Sequence, residues 1–164
     1  MSEIIKTNAF LLGKLNYGES SKILKLYTES AGKISAMAKG SRSMKSGRGN
    51  ILDYFNLIEI IYYSKPNREI QVISSYELLE HYNELTADFL KNVYASAVIE
   101  LTSVIVPENE PDKKLFEALN RMLSLMNLRN AATKLLFSKY FLFIIKHAGY
   151  EFSFDTCEGC GKVF

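Results

Sequence analysis

The chain has 164 residues, of which 48% are hydrophobic and 23% charged. This balance provides enough apolar material for a buried core and excludes disordered and collagen-like classes. The formal net charge of +2 is unevenly spread: residues 1–50 hold nine Lys/Arg against three Glu, and residues 51–164 hold eleven against fifteen Asp/Glu. A basic first third on an acidic remainder suits either an anionic partner or a solvated lysine-rich surface.

Met1-Ser2-Glu3-Ile4 shows no basic segment leading into an apolar run, so a cytoplasmic protein is expected. Ala9–Leu15, Lys22–Thr28 and Lys33–Lys39 read as short strands separated by the turns Asn16-Tyr17-Gly18 and Ser30-Ala31-Gly32. In the third, Lys33, Ser35, Met37 and Lys39 share one face, and Ile34, Ala36 and Ala38 the other. Ser41–Asn50 has no periodicity, is rich in Gly, Ser and base, and reads as a loop. Leu57–Tyr63 and Glu69–Ser74 are two further strands joined by Ser64-Lys65-Pro66-Asn67. Five strands in so short a stretch predict a small barrel, because closure removes exposed strand edges.

After Ser75 the period changes from strand to helix. A boundary is expected there, with a β domain over residues 1–76 and an all-α domain over 77–164, an α+β chain overall. Phe89, Val93, Ala97, Leu101 and Val104 form the apolar stripe of a first helix, which Pro107 and Pro111 follow. Leu115, Leu119, Met122, Leu123 and Met126 mark a second. Ala131–His147 is a third; it is apolar nearly all round and predicts the buried centre of this half. Its apolar stretch Leu135–Ile145 is too short for a membrane span and carries Lys139. Gly149 stands where a helix C-cap glycine belongs.

Two groups of residues carry candidate chemistry. Lys33, Lys39, Arg42, Lys45 and Arg48 lie close together with no acid from Lys33 to Arg48, and Gly40, Gly47 and Gly49 permit close approach of backbone to phosphate. Tyr17, Tyr27, Tyr54 and Tyr63 are either barrel core or faces for unstacked bases, the combination that holds single strands without reading sequence. The second group is Cys157-Glu158-Gly159-Cys160-Gly161, a Cys-x-x-Cys pair with a following glycine. It is either half of a tetrahedral zinc site or a redox dithiol. Its place behind a helical segment, rather than between a strand and a helix, favours zinc. His147 and His81 are poorly placed as further ligands. Phosphate-loop, dinucleotide, metalloprotease and nucleophile-elbow motifs are absent, and the acidic run Glu77, Glu80, Glu84 reads as a solvated helix face, so no enzyme is expected.

The run Tyr17-Gly18-Glu19-Ser20-Ser21-Lys22, Tyr27-Thr28-Glu29, Gly32-Lys33 and Met37-Ala38-Lys39-Gly40-Ser41-Arg42, continuing to Lys45-Ser46, resembles the RecO family of bacterial recombination mediators. Ala97–Leu101, Pro107-Glu108, Leu115-Phe116, Gly149-Tyr150 and the Cys157/Cys160 knuckle extend the resemblance over the whole chain. The resemblance implies an oligonucleotide-binding (OB) barrel followed by a helical domain carrying a four-Cys zinc site. It implies binding of single- and double-stranded DNA, strand annealing, and work with RecR and single-stranded-DNA-binding protein during RecA loading, near the nucleoid. Lys33, Lys39, Arg42, Lys45 and Arg48 would inherit the DNA contacts, and Cys157 and Cys160 half of the metal site. The chain stops where that pattern expects a second Cys pair, so the zinc knuckle is read as truncated. A protein-interaction role is the alternative, with an apolar groove between Phe116, Phe137 and Phe141, flanked by Lys134 and Lys139, taking an acidic, aromatic-ended tail.

Overall fold

Five strands and four helices follow one another in a computed structural model that describes residues 3–41, 51–150, 155–157 and 159–163. The strands are β1 (Glu3–Tyr17), β2 (Ser21–Thr28), β3 (Gly32–Ala38), β4 (Asn56–Ser64) and β5 (Ile70–His81). The helices are α1 (Asn83–Ala87), α2 (Phe89–Ile105), α3 (Lys113–Met126) and α4 (Thr133–His147). The strands close into a barrel in the order β1-β2-β3-β5-β4. All pairings are antiparallel except β3 with β5, which is parallel.

Barrel closure explains why β1 starts well before the expected Ala9. Its residues Glu3–Phe10 pair with β4, and Ala9–Tyr17 pair with β2. Between Leu11 and Gly13 the register shifts, leaving Leu12 as the extra residue of a bulge. The faces alternate but both are covered, so Ala9–Leu12 is buried throughout: Ala9 and Leu11 fill the barrel interior, while Phe10 and Leu12 join a second core on its outside. β3 does alternate as expected, with Ile34, Ala36 and Ala38 buried.

The expected boundary at residue 76 falls inside a strand. β5 continues through His81, because its first residues pair with β3 and the remainder must reach along β4. Glu77 and Glu80 therefore lie on β5 and not on a helix face. The two halves also share one core. Phe10 and Tyr27 of the barrel each pack 5.5 Å, centre to centre, from the Phe116 ring of α3.

Two helix expectations are corrected. In α2 the buried residues are Lys91, Ala95, Val98, Ile99 and Thr102, whereas Phe89, Val93 and Val104 of the expected core stripe are exposed. The inward face was hidden by its polar members, which are satisfied inside. Lys91 Nζ donates to the carbonyl of Leu128 at 2.7 Å, and the Thr102 hydroxyl lies 2.7 Å from that of Tyr140. Nor is α4 the buried centre. Only Thr133, Tyr140 and Ile144 are buried, and Leu135, Phe141 and Leu142 are exposed, because α2 and α3 cover one side of it. The stripe of α3 is as expected, with Phe116 added and Met122 only partly covered. At the end of α4, Tyr150 N–H donates to Ile145 O and Gly149 N–H to Lys146 O, with Gly149 at φ 91°, a Schellman cap.

Asp112 ties three elements together. Its carboxylate accepts from Leu115 N–H at 2.9 Å as the N-cap of α3, and its second oxygen lies 2.6 Å from His147 Nε2 at the end of α4. Its carbonyl accepts from the Tyr27 hydroxyl of β2 at 2.9 Å. Burial pushes the Asp112 carboxyl up, but the Leu115 N–H and His147 outweigh it and hold the group below its ordinary value. A carboxyl lowered in the folded state stabilises above its unfolded pKa and loses that contribution as pH falls through the folded one. Asp112→Ala is expected to cost about 0.5–2 kcal/mol at pH 7, the usual range for a lost N-cap. In urea unfolding, the gap between variant and wild type should narrow once the pH drops below about 3.8. A gap that stays constant with pH would count against this role.

Candidate nucleic-acid interface

Because Leu24, Leu26, Ile34 and Ala36 fill the barrel interior, the residues between them on β2 and β3 face outward. Lys25 stands opposite Ser35, and Ile23 opposite Met37. β1 extends this surface with Gly13 opposite Lys25 and the exposed Leu15 opposite Ile23. The stem of Lys25 runs close to Gly13, where an added Cβ would lie 3.7–3.9 Å from Lys25 side-chain carbons. Lys25 is exposed. It was not among the expected contacts, although its place between two buried leucines was a readable signal for an outward cation.

The expected basic residues divide into three. Lys39 is exposed just after the end of β3. Arg42, Lys45 and Arg48 lie outside the described residues. Lys33 is turned toward the helices: Nζ donates to Ser103 O at 3.1 Å and lies 3.5 Å from the Glu108 carboxylate, with its side chain 15% exposed. Both flanks of the basic segment are anchored to the barrel. The Ser41 hydroxyl donates to Ala38 O at 3.0 Å, and Leu52 is buried in the barrel interior.

Beside these flanks, Lys14 donates to Asp53 at 2.6 Å and its ammonium sits 5.1 Å from the centre of the Tyr54 ring. Burial pushes the Asp53 carboxyl up, but Lys14, the Tyr54 N–H and the Lys22 charge hold it below its ordinary value. The four tyrosines separate clearly. Tyr27 is core, its hydroxyl committed to Asp112 and its pKa raised by burial. Tyr17 and Tyr63 are exposed, and Tyr54 is partly buried.

Cys157 and Cys160 sit on a tight return of the chain. Cys157 N–H donates to Lys162 O at 2.8 Å, Gly161 N–H donates to Cys157 O at 2.7 Å, and Thr156 bridges Val163. The backbone N–H of Cys160, its thiol and the N–H of Gly159 hold the Cys157 thiol below its ordinary pKa. Sulfur favoured as thiolate by backbone donors suits metal binding. The pair supplies two donors, and among the described residues no group of three or more His, Cys, Asp or Glu side chains converges. His147, bonded to Asp112 and stacked on Phe143 with centres 5.6 Å apart, is engaged elsewhere.

The model of the recombination protein O N-terminal domain matches residues 1–82, and that of its C-terminal domain matches residues 86–164. The chain belongs to the RecO family. Similar curated proteins are named DNA repair protein RecO. That of Chlorobium limicola is 32% identical over 161 residues, 97% of this chain and 61% of the relative. The one from Salinibacter ruber is 30% identical over 128 residues, 78% of this chain and 49% of the relative. That of Thermoanaerobacter sp. is 30% identical over 159 residues, 97% and 63% respectively. The chain thus spans about half to three fifths of the length of these RecO relatives.

The apolar groove expected between Phe116, Phe137 and Phe141 for a protein-interaction role is corrected in its composition. Phe116 is buried between barrel and helices and does not line it. A groove of about 530 Å³ instead runs between α2 and α4, lined by Leu101, Val104, Phe137, Phe141 and Ile145 among others. Lys134 borders a separate hollow with Leu90 and Leu135, and Lys139 is exposed. Among the described residues no helix is long and apolar enough to cross a membrane.

Proposed function

We propose that this chain is the DNA-binding portion of a RecO-type recombination mediator, using an OB-type barrel to hold single- and double-stranded DNA and to anneal complementary strands. The observation that carries this reading is the outward β2–β3 surface, with Lys25 and Lys39 exposed beside a basic, glycine-rich segment anchored at Ser41 and Leu52. The strand order is the one that oligonucleotide-binding barrels use, with their second and third strands as the binding face. Annealing needs no covalent chemistry: cations that offset phosphate repulsion let two strands approach. Contact with phosphate rather than base edges makes the binding tolerant of sequence. In repair, such a protein assists RecA loading in company with RecR and single-stranded-DNA-binding protein.

The test is the affinity for a fluorescent single-stranded oligonucleotide across a salt series. With four to six cations engaged, log K should fall against log salt with a slope of roughly −3 to −4. A flat response would sink the proposal.

A second reading, compatible with the first, is favoured by the α2–α4 groove. An acidic tail ending in an aromatic residue, as on single-stranded-DNA-binding protein, would seat its apolar end there, with Lys134, three residues before Phe137 and so on the same side of α4, as the cation for its acidic part. Lys134→Glu should weaken capture of such a tail peptide while leaving DNA affinity unchanged; equal tail binding rejects the groove.

We also propose that Cys157 and Cys160 hold a structural zinc ion together with two donors not among the described residues. Zinc there would stabilise the knuckle as a closed tetrahedral site. Cobalt(II) should give thiolate-to-metal absorption that is lost in Cys157→Ser. Dithiol activity in insulin reduction, without metal uptake, would favour the redox alternative.

A further inference from the structure

Between the barrel and α2 lies a cleft of about 300 Å³, lined by Leu12, Tyr54, Ser96, Ile99, Glu100 and Ser103. Its two walls come from different parts of the fold. Leu12 is the bulged residue of β1, and Tyr54 belongs to the turn that leads into β4. Ser96, Ile99, Glu100 and Ser103 recur at three and four along α2 and so share one face of it. One wall is therefore aromatic and aliphatic, and the other presents two hydroxyls and a carboxylate. Among the described residues the side chains of Ser96, Glu100 and Ser103 make no hydrogen bond to another protein group.

We propose that this cleft receives one unstacked nucleobase of a single strand held along the barrel, with Tyr54 as its stacking face. The inference rests on the DNA-binding reading and adds a specific base site to it. A nucleobase has a flat π surface and a hydrogen-bonding rim, and the cleft offers a partner for each: the Tyr54 ring for the face, and Ser96, Ser103 and Glu100 for the edge. An aliphatic side chain of a protein partner would leave those three polar groups without use. Lys14, its ammonium 5.1 Å from the Tyr54 ring centre, stands beside the cleft for a flanking phosphate. The cleft is also close in sequence to the basic segment, since Tyr54 follows Arg48 by six residues. A strand held by that segment comes within reach of it, as six residues span at most about 20 Å.

The experiment compares this 164-residue chain and three variants on two strands of equal length, one normal and one uniformly abasic. Ser96→Trp fills the cleft from an exposed position of α2 and leaves the core unchanged. Tyr54→Ala removes the stacking face, and Tyr54→Phe keeps it. Ser96→Trp and Tyr54→Ala are expected to lose affinity for the normal strand by about 5- to 160-fold, the range for one stacked base. Affinity for the abasic strand should be unchanged in both, and Tyr54→Phe should bind like the wild type. Ser96→Trp with wild-type affinity for the normal strand would overturn the base site while leaving the DNA reading intact. Parallel loss on both strands would overturn it as well, since a backbone or folding effect would then be at work. A wild-type chain that binds neither strand would overturn both readings.

Discussion

Lys39→Glu/Arg42→Glu/Lys45→Glu is expected to bind single-stranded DNA about 100-fold more weakly than the wild type at 0.1 M salt. Each phosphate neutralised on a single strand contributes about 0.7 to the slope of log K against log salt. Three lost contacts should therefore flatten the slope by about 2 and, one decade below 1 M salt, remove about two decades of affinity. The three introduced carboxylates add repulsion, so the figure is a lower bound. Lys33→Glu is the informative contrast. Lys33 already faces Glu108 and the Ser103 carbonyl, so its reversal should chiefly lower stability and leave the salt slope in place. Equal loss of slope in the single and triple variants would place Lys33 in the interface and contradict its observed commitment to the helices. A triple variant with unchanged affinity would remove DNA from this part of the barrel altogether.

Gly32→Ala should destabilise the fold by about 3 kcal/mol, from two separate costs. Gly32 has φ 69°, a left-handed conformation that costs an L-residue about 1–2 kcal/mol. It also begins β3 directly against the loop between α2 and α3. A Cβ built there would lie 2.8 Å from the Glu110 nitrogen and nearer still to its carbonyl group. Both are backbone atoms, so the loop itself must shift, at a further cost of about 1–3 kcal/mol. That loop is held to β3 by Asn109 N–H donating to Lys33 O at 3.0 Å and by a bridge between Lys33 and Glu108. For a chain of this size the expected fall in Tm is about 6–12 °C. Gly18→Ala is the control: its φ of 58° carries the conformational cost, but nothing lies within 4 Å of the added Cβ. If the two variants melt together, the close approach at Glu110 contributes nothing to the docking of the helices on the barrel.

Local patterns were readable wherever one physical constraint acts on one element. The alternation of β3 follows from a strand with a single buried face, and its burial runs as the residue types require. Gly149 after an apolar helix foretold the Schellman cap, and the stripe from Leu115 to Met126 foretold the buried side of α3. The basic glycine-rich segment and the Cys-x-x-Cys knuckle are likewise statements about neighbouring residues. Nothing in residue order distinguished Lys33 from Lys39 as a candidate contact, since both are lysines on one face of the same strand run.

Tertiary packing separated them, because α2 and its following loop reach one end of β3 and not the other. Packing of α2 against α4 and the loop before it put Lys91 and Thr102 inside and Phe89 and Val104 outside, against the hydrophobic pattern, since carbonyl and hydroxyl partners awaited the polar pair. Barrel closure carried β5 on to His81 so that one strand served two neighbours, and the helix packing left α4 with an open apolar side. Each of these outcomes depends on which surfaces meet across long sequence separations. Residue order thus disclosed the five strands, three of the four helices, the basic segment and the thiol pair, but not the short α1. The packing of helices on barrel decided which cations face solvent, which apolar face stays open and where a cleft forms.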